Sequence, residues 1–184
     1  HQDTVFGHQN LELPDDDLAV DMYDLACKLL SEAGYIHYEI ANWSKVGKAS
    51  QHNQVYWRSH EFLAAGLGAH GYLQRRRYAN SQNLRSYYQD IEKQNWSWQT
   101  TPEQSIKEEI EEHIFLALRL LNDGLNLSEF KQTFGINLEN LYPERLAFLL
   151  EKNLVLIEEN CLKLRPESVT VSNSIFAEFL DPNL

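Results

Sequence analysis

Pro14-Asp15-Asp16-Asp17-Leu18, running on to Gly34-Tyr35-Ile36-His37-Tyr38-Glu39-Ile40, is the stretch on which the fold reading turns. The proline and three acids supply a helix start with negative charge at the positive end of the dipole. Leu18, Met22, Leu25, Ala26, Leu29 and Leu30 then fall on one face. Gly34 stops the helix, and residues 35–40 alternate and are rich in β-formers, so a strand follows through a very short loop. Helix into strand predicts an α/β layer. A second apolar run, Phe62-Leu63-Ala64-Ala65-Gly66-Leu67-Gly68, reads as a buried strand pairing in parallel with the first. Its glycines would let backbone or ligand come close at the strand's end, where open α/β sheets and barrels place their sites.

Outward from there, residues 41–60 read as irregular and polar. Thr4-Val5-Phe6-Gly7 reads as the end of a strand, and a chain that opens at His1 reads as excised from a longer one. Ser81 opens a helix with Leu84, Tyr87, Tyr88 and Ile91 on its inner face. A boundary falls within residues 95–101, dividing the chain into 1–98 and 99–184. Beyond it, Thr101-Pro102-Glu103-Gln104 combines an N-cap, a first-turn proline and a capping-box glutamine. That helix would turn Ile106, Ile110, Ile114 and Leu121 inward and stop at Gly124, with helical segments 128–134 and 138–151 after it. Residues 154–157 and 161–164, joined through Glu159-Asn160, read as a hairpin, and 169–180 as a closing helix. Three helices and a hairpin predict a winged helix.

The chain has 184 residues, 43% of them hydrophobic and 11% aromatic, enough for a real core without a disulfide or metal staple. Its net charge of −11 repels phosphate backbones, which argues against nucleic acid as partner. Two cysteines, Cys27 and Cys161, with no Cys-x-x-Cys pair, fit a reducing compartment and a cytoplasmic location, and exclude a cysteine-built cluster within these residues. No apolar run reaches the ~20 residues of a membrane span.

His52-Asn53-Gln54-Val55-Tyr56-Trp57 places an imidazole, an amide and two large aromatics within six residues. Heme asks for such groups, a nitrogen for iron and flat side chains over the macrocycle. A hydrogen-bonded core corner asks for the same ones, and the residues alone do not choose. His70, Glu39 and the basic run Arg75-Arg76-Arg77 carry similar pairs of readings. His70 is either a cofactor contact or a hydrogen-bonded core histidine. Glu39 is better read as paired with a cation than as facing a cavity. The arginines either meet carboxylates of a ligand or form a solvated run. His-Glu-x-x-His, Gly-x-Ser-x-Gly and phosphate-loop patterns do not occur.

Tyr38-Glu39-Ile40-Ala41-Asn42-Trp43, Lys45-Val46-Gly47, the His-Asn-x-x-Tyr-Trp run, Gly66-Leu67-Gly68-Ala69-His70-Gly71, and Arg77 with Asn80 together resemble the HemW family in order and spacing. Ala41 and Trp43 depart mildly from that family's Tyr-Glu-Ile-Ser-Asn-Phe. Leu118-Arg119-Leu120 and Val171-Ser172-Asn173-Ser174-Ile175-Phe176 look like its trailing helical domain. The resemblance implies that 1–98 are the C-terminal strands and helices of a partial (β/α) radical-SAM barrel. Residues 99–184 would be a winged-helix-like domain of the HemN C-terminal type. It implies a heme-binding protein that carries heme to an acceptor protein, with a 4Fe-4S cluster and S-adenosylmethionine in the intact parent. The family's cluster motif, Cys-x-x-x-Cys-x-x-Cys, is absent from this chain. Heme-binding residues carried over are His52, as iron ligand, with Asn53, Tyr56 and Trp57; Gly66, Gly68 and His70 are candidate S-adenosylmethionine contacts. No catalytic residue is assigned. The parent would lack a transmembrane segment, with peripheral membrane association open.

Two other readings stand beside this one. The parent could be an oxygen-independent coproporphyrinogen III oxidase, which shares the barrel; the His-Asn-x-x-Tyr-Trp run resembles the chaperone branch instead. Residues 101–184 could be a DNA-reading winged helix, but they hold 15 acidic against 7 basic residues, and the candidate recognition helix carries Glu139, Glu144 and Glu151.

Overall fold

The computed structural model describes Thr4, Gly7, His8 and residues 13–180. The strand end expected at Thr4 to Gly7 includes Val5 and Phe6, which lie outside the described residues. Helix α1 spans Asp16–Glu32, and the Asp15 carboxylate caps it by accepting from the Leu18 amide at 2.8 Å. Gly34 follows with φ +75°. The expected apolar stripe is present but not covered: Leu18, Met22, Leu25 and Leu29 are all exposed, because no described element packs on that face.

Strand β1 (Ile36–Glu39) forms as expected, yet it pairs antiparallel with β2 (Asn42–Ser44) across the turn Ile40-Ala41. Residues 62–68 form no strand beyond a single bridge from Phe62 to Tyr72, so the expected parallel pair is absent among the described residues. Gly66 and Gly68 take φ of +108° and +63°, values that break an extended run. The segment is held by side chains instead. Asn80 Nδ2 donates to the carbonyls of Ala64 and Gly66, and the hydroxyls of Tyr78 and Tyr87 accept from the Ala64 and Gly66 amides. His70 instead opens a strand: β3 (His70–Leu73) and β4 (Arg76–Ala79) form a hairpin over Gln74-Arg75. Helix α2 (Gln51–Trp57) occupies what read as an irregular loop. Helix α3 (Leu84–Glu92) is capped by Asn83, not Ser81, and Leu84, Tyr88 and Ile91 on it are exposed.

A short helix α4 (Ser97–Thr100) leads to α5 (Ile106–Ala117). The start lies four residues later than the sequence suggests: Ser105 and Glu108 form the capping box, while the Gln104 amide donates to the Arg75 carbonyl. Ile106 is therefore exposed and Ile110 and Ile114 are buried. The helix ends at Leu118 rather than at Gly124. After it come β5 (Leu125–Asn126), α6 (Leu127–Phe134), α7 (Leu138–Leu141), α8 (Pro143–Glu151), β6 (Val155–Glu158) and β7 (Cys161–Leu164). Pro143 splits the expected 138–151 helix because its ring bars a continuous turn, and it sits where α8 begins. A 3-10 helix (Pro166–Val171) and α9 (Ser172–Ala177) replace the single closing helix.

Strands β5, β7 and β6 make one antiparallel sheet with β7 in the middle. Glu159 and Asn160, at φ +49° and +62°, form the two-residue turn expected there. At Gly124 a Cβ would stand 2.3 Å from the Leu162 carbonyl, so only glycine lets β5 reach β7. The main core belongs to this half: Ile114, Leu118, Leu125, Phe130, Leu149, Leu162, Ile175 and Phe179 are 1% exposed or less. The N-terminal hairpin is stitched to it. Ile40 N donates to Arg119 O and Leu121 N to Tyr38 O, extending β1 against the chain just past α5.

Candidate functional site

The site is built on α2. Ser50 precedes it in extended conformation, its hydroxyl accepting from the Asn53 amide, and the Tyr38 hydroxyl accepts from the Ser50 amide at 3.3 Å. Residues four apart then share a face of the helix. His52 and Tyr56 make one such pair: the Tyr56 hydroxyl lies 2.7 Å from His52 Nε2, with the rings nearly perpendicular. His52 is exposed, and Tyr56 is half-buried with its ring edge-on to Phe62 at 4.4 Å between centroids.

Trp57 turns the other way. Its ring lies under the Arg119 guanidinium, 4.4 Å from the centroid, and α2 packs on α5 there. Arg119 Nη2 donates to Glu39 Oε1 at 2.5 Å. Glu39 is fully buried, and its second oxygen accepts from Asn42 Nδ2 and the Ala41 amide. A buried carboxylate is tolerated only when both oxygens are engaged, and here they are. The six-residue run thus divides between an imidazole–phenol pair facing solvent and an indole that fixes the helix. Sequence reasoning expected a cation for Glu39 but could not name Arg119, which lies 80 residues away.

The three arginines are committed within the chain. Arg75 pairs with Glu109, Arg76 with Glu103, and Arg77 with Glu112, Arg77 also covering the Tyr72 ring at 4.3 Å. They clamp the β3–β4 hairpin to α5 and the segment before it. The Gly66 and Gly68 amides are likewise engaged, by Tyr87 Oη and Ser81 O, while His70 is exposed.

A cavity of about 530 Å³ opens between that hairpin and helices α5 and α6, lined by Arg58, Tyr72, Arg77, Glu112, His113 and Phe134. Another, about 600 Å³, lies between α1 and the 3-10 helix, lined by Tyr23, Cys27, His37, Leu121, Leu164 and Val169. His37 stacks on Trp43 with centroids 4.3 Å apart, and its Nε2 reaches Ile40 O and Tyr23 Oη. Burial lowers the His37 imidazole below the ordinary histidine range, and raises the Cys27 thiol. His113, against Phe130 and Phe134, is also lowered by burial. His52, Asn53 and Tyr56 stand outside these cavities. Among the described residues no group of three or more His, Cys, Asp or Glu side chains could hold a metal ion. The two cysteines sit on α1 and β7, so these residues do not fit a 4Fe-4S cluster.

Residues 104–169 match the family model of the HemN C-terminal domain. Over 92% of its length the chain is 32% identical to the heme chaperone HemW of Bacillus subtilis, and over 96% it is 31% identical to that of Lactococcus lactis. The matches cover 45% and 47% of those proteins, so the chain spans about half the length of the curated relatives it matches. Among solved structures it resembles coproporphyrinogen III oxidase (HemN) from Escherichia coli, described as a radical SAM enzyme, with a TM-score of 0.70 and 17% identity. That match covers 96% of this chain and 44% of the other. The likeness is one of fold.

Proposed function

We propose that this chain, which is similar to the heme chaperones HemW over most of its length and matches the HemN C-terminal domain over residues 104–169, belongs to a radical-SAM-class protein that passes heme to an acceptor protein, and that it holds heme through His52. The observation that carries the reading is the split of α2. His52 presents its imidazole to solvent on the same helix whose other face is fixed by Trp57, Arg119 and Glu39. A ligand on a short helix is useful only if the helix is held, since loose positioning loses most of what an iron–nitrogen bond contributes. Tyr56 and Asn53 flank the imidazole. Trp57 contributes by anchoring, and its ring is already covered by Arg119 on one face.

For S-adenosylmethionine the reading retains His70, because the amides of Gly66 and Gly68 already have partners. The order helix, strand, helices and hairpin in 99–184 supports a winged-helix-like unit, and its net acidity supports a protein acceptor over a nucleic acid as its partner. No helix among the described residues is long and apolar enough to cross a membrane; a cytoplasmic location is part of the proposal. The fold of HemN also admits a coproporphyrinogen III oxidase reading for the parent.

A hemin titration followed by Soret absorbance tests the chaperone reading. The expected result is a saturable shift at one equivalent that is lost or displaced in His52→Ala. Equal binding by both proteins would place iron elsewhere and remove His52 from the site.

A further inference from the structure

The Tyr56 hydroxyl sits on the nitrogen that iron needs. An imidazole has two nitrogens, and Nδ1 adjoins the Cβ stem, where the helix backbone obstructs a flat macrocycle. Nε2, at the tip of the ring, is the accessible one. In this chain Nε2 lies 2.7 Å from Tyr56 Oη. A phenol is the stronger proton donor of such a pair; with the ring proton on Nδ1, the hydroxyl donates and the Nε2 lone pair accepts. The contact is held in place. Tyr56 is wedged edge-on against Phe62 at 4.4 Å, and the helix carrying both residues is fixed at its start by Ser50 and Tyr38 and at its end by Trp57 on Arg119.

From this arrangement we infer that Tyr56 is a built-in competitor for the heme site, a residue that weakens heme binding and speeds release. The inference rests on the heme reading of His52 given above. On binding, the Tyr56 O–H···Nε2 hydrogen bond breaks and an iron–Nε2 bond forms. The phenolic proton stays on Tyr56, whose hydroxyl turns to water, and the Nδ1 proton stays on the ring. No electron moves. On release the hydroxyl recaptures the lone pair, so the ligand-free state is stabilised without any other part of the fold moving. Such a device suits cargo that must be handed on: Trp57, the next residue, anchors the helix on Arg119, while Tyr56 limits how tightly iron is kept.

The test compares the chain with Tyr56→Phe, which keeps the ring on Phe62 and removes only the hydroxyl, and with His52→Ala. The probes are hemin, metal-free protoporphyrin IX and apomyoglobin. Tyr56→Phe should bind hemin about fivefold more tightly, the worth of one net hydrogen bond, and should transfer it to apomyoglobin correspondingly more slowly. Metal-free protoporphyrin, which forms no iron–nitrogen bond, should bind the two proteins equally. In the ligand-free wild-type chain, nitrogen-15 NMR should show His52 protonated on Nδ1. Unchanged or weaker hemin binding by Tyr56→Phe, with His52→Ala still defective, would overturn the competitor role and leave the heme site standing. Protonation on Nε2 in the wild type would overturn it as well. If His52→Ala binds hemin like wild type, the heme reading itself fails and the competitor role with it.

Discussion

At the scale of single residues, the Glu39–Arg119 pair is the costliest group to disturb. Glu39 has no solvent exposure, and it depends on Arg119, Asn42 and one backbone amide for everything that water would have supplied. Removing the cation leaves a buried carboxylate without a counter-charge, which costs roughly 3–5 kcal/mol when a buried pair is broken from one side. Arg119→Ala should lower the unfolding free energy read from a urea titration by that order, and adding Glu39→Gln should recover part of it, since the stranded charge is then gone. A single variant within about 1 kcal/mol of wild type, the range of an exposed ion pair, would show that water reaches the site. The same pair decides how α2 sits, because Arg119 also carries the Trp57 ring. Sequence indicated that Glu39 needs a cation. It could not indicate which one, because the two residues meet only after α5 has docked on the β1–β2 hairpin.

At the scale of elements, local capping overrode apparent signals. Thr101-Pro102-Glu103-Gln104 has the composition of a helix start, but Gln104 N and Thr101 O are taken by the β3–β4 hairpin through Arg75 O and Arg76 Nε, so the first turn waits for Ser105. There the hydroxyl accepts from Glu108 N at 3.2 Å, and the Glu108 carboxylate accepts from Ser105 N at 2.7 Å. Ser105→Ala should cost about 1 kcal/mol, the usual worth of such a cap, read as a fall in the thermal or urea midpoint; an unchanged midpoint would show that α5 is fixed by packing alone. The run from His52 to Trp57 shows the opposite case. Six residues with polar neighbours read as a loop, yet Ser50 and the pairs at spacing four close a helix. The β6–β7 hairpin was legible to within one residue of β6, since Glu159-Asn160 between two β-forming runs specifies the turn.

At the scale of the whole molecule, two half-buried histidines link stability to pH. Burial lowers both His37 and His113 below the ordinary histidine value. In the unfolded chain each takes a proton as pH falls through about 6.5, while the folded chain resists it. The unfolded state then binds more protons, so stability falls as pH falls. The urea midpoint should decline between about pH 7.5 and 5.5, above the range in which carboxylates titrate, and a flat profile there would mean that neither ring is held neutral. Sequence by itself determined the start of α1, β1, the acidic surface, the β6–β7 hairpin and the family to which the pattern is similar, because first-turn charge, alternation, turn chemistry and ordered motifs act over a few residues. Tertiary structure decided the rest. It turned an expected parallel pair into two separate antiparallel hairpins, since strand partners depend on which edges meet in space. It committed the arginine run to Glu103, Glu109 and Glu112, and divided the His52–Trp57 run between a solvent face and an anchoring face. The last two outcomes follow from contacts between residues tens of positions apart, where local spacing carries no information about which partner a charge or a ring will find.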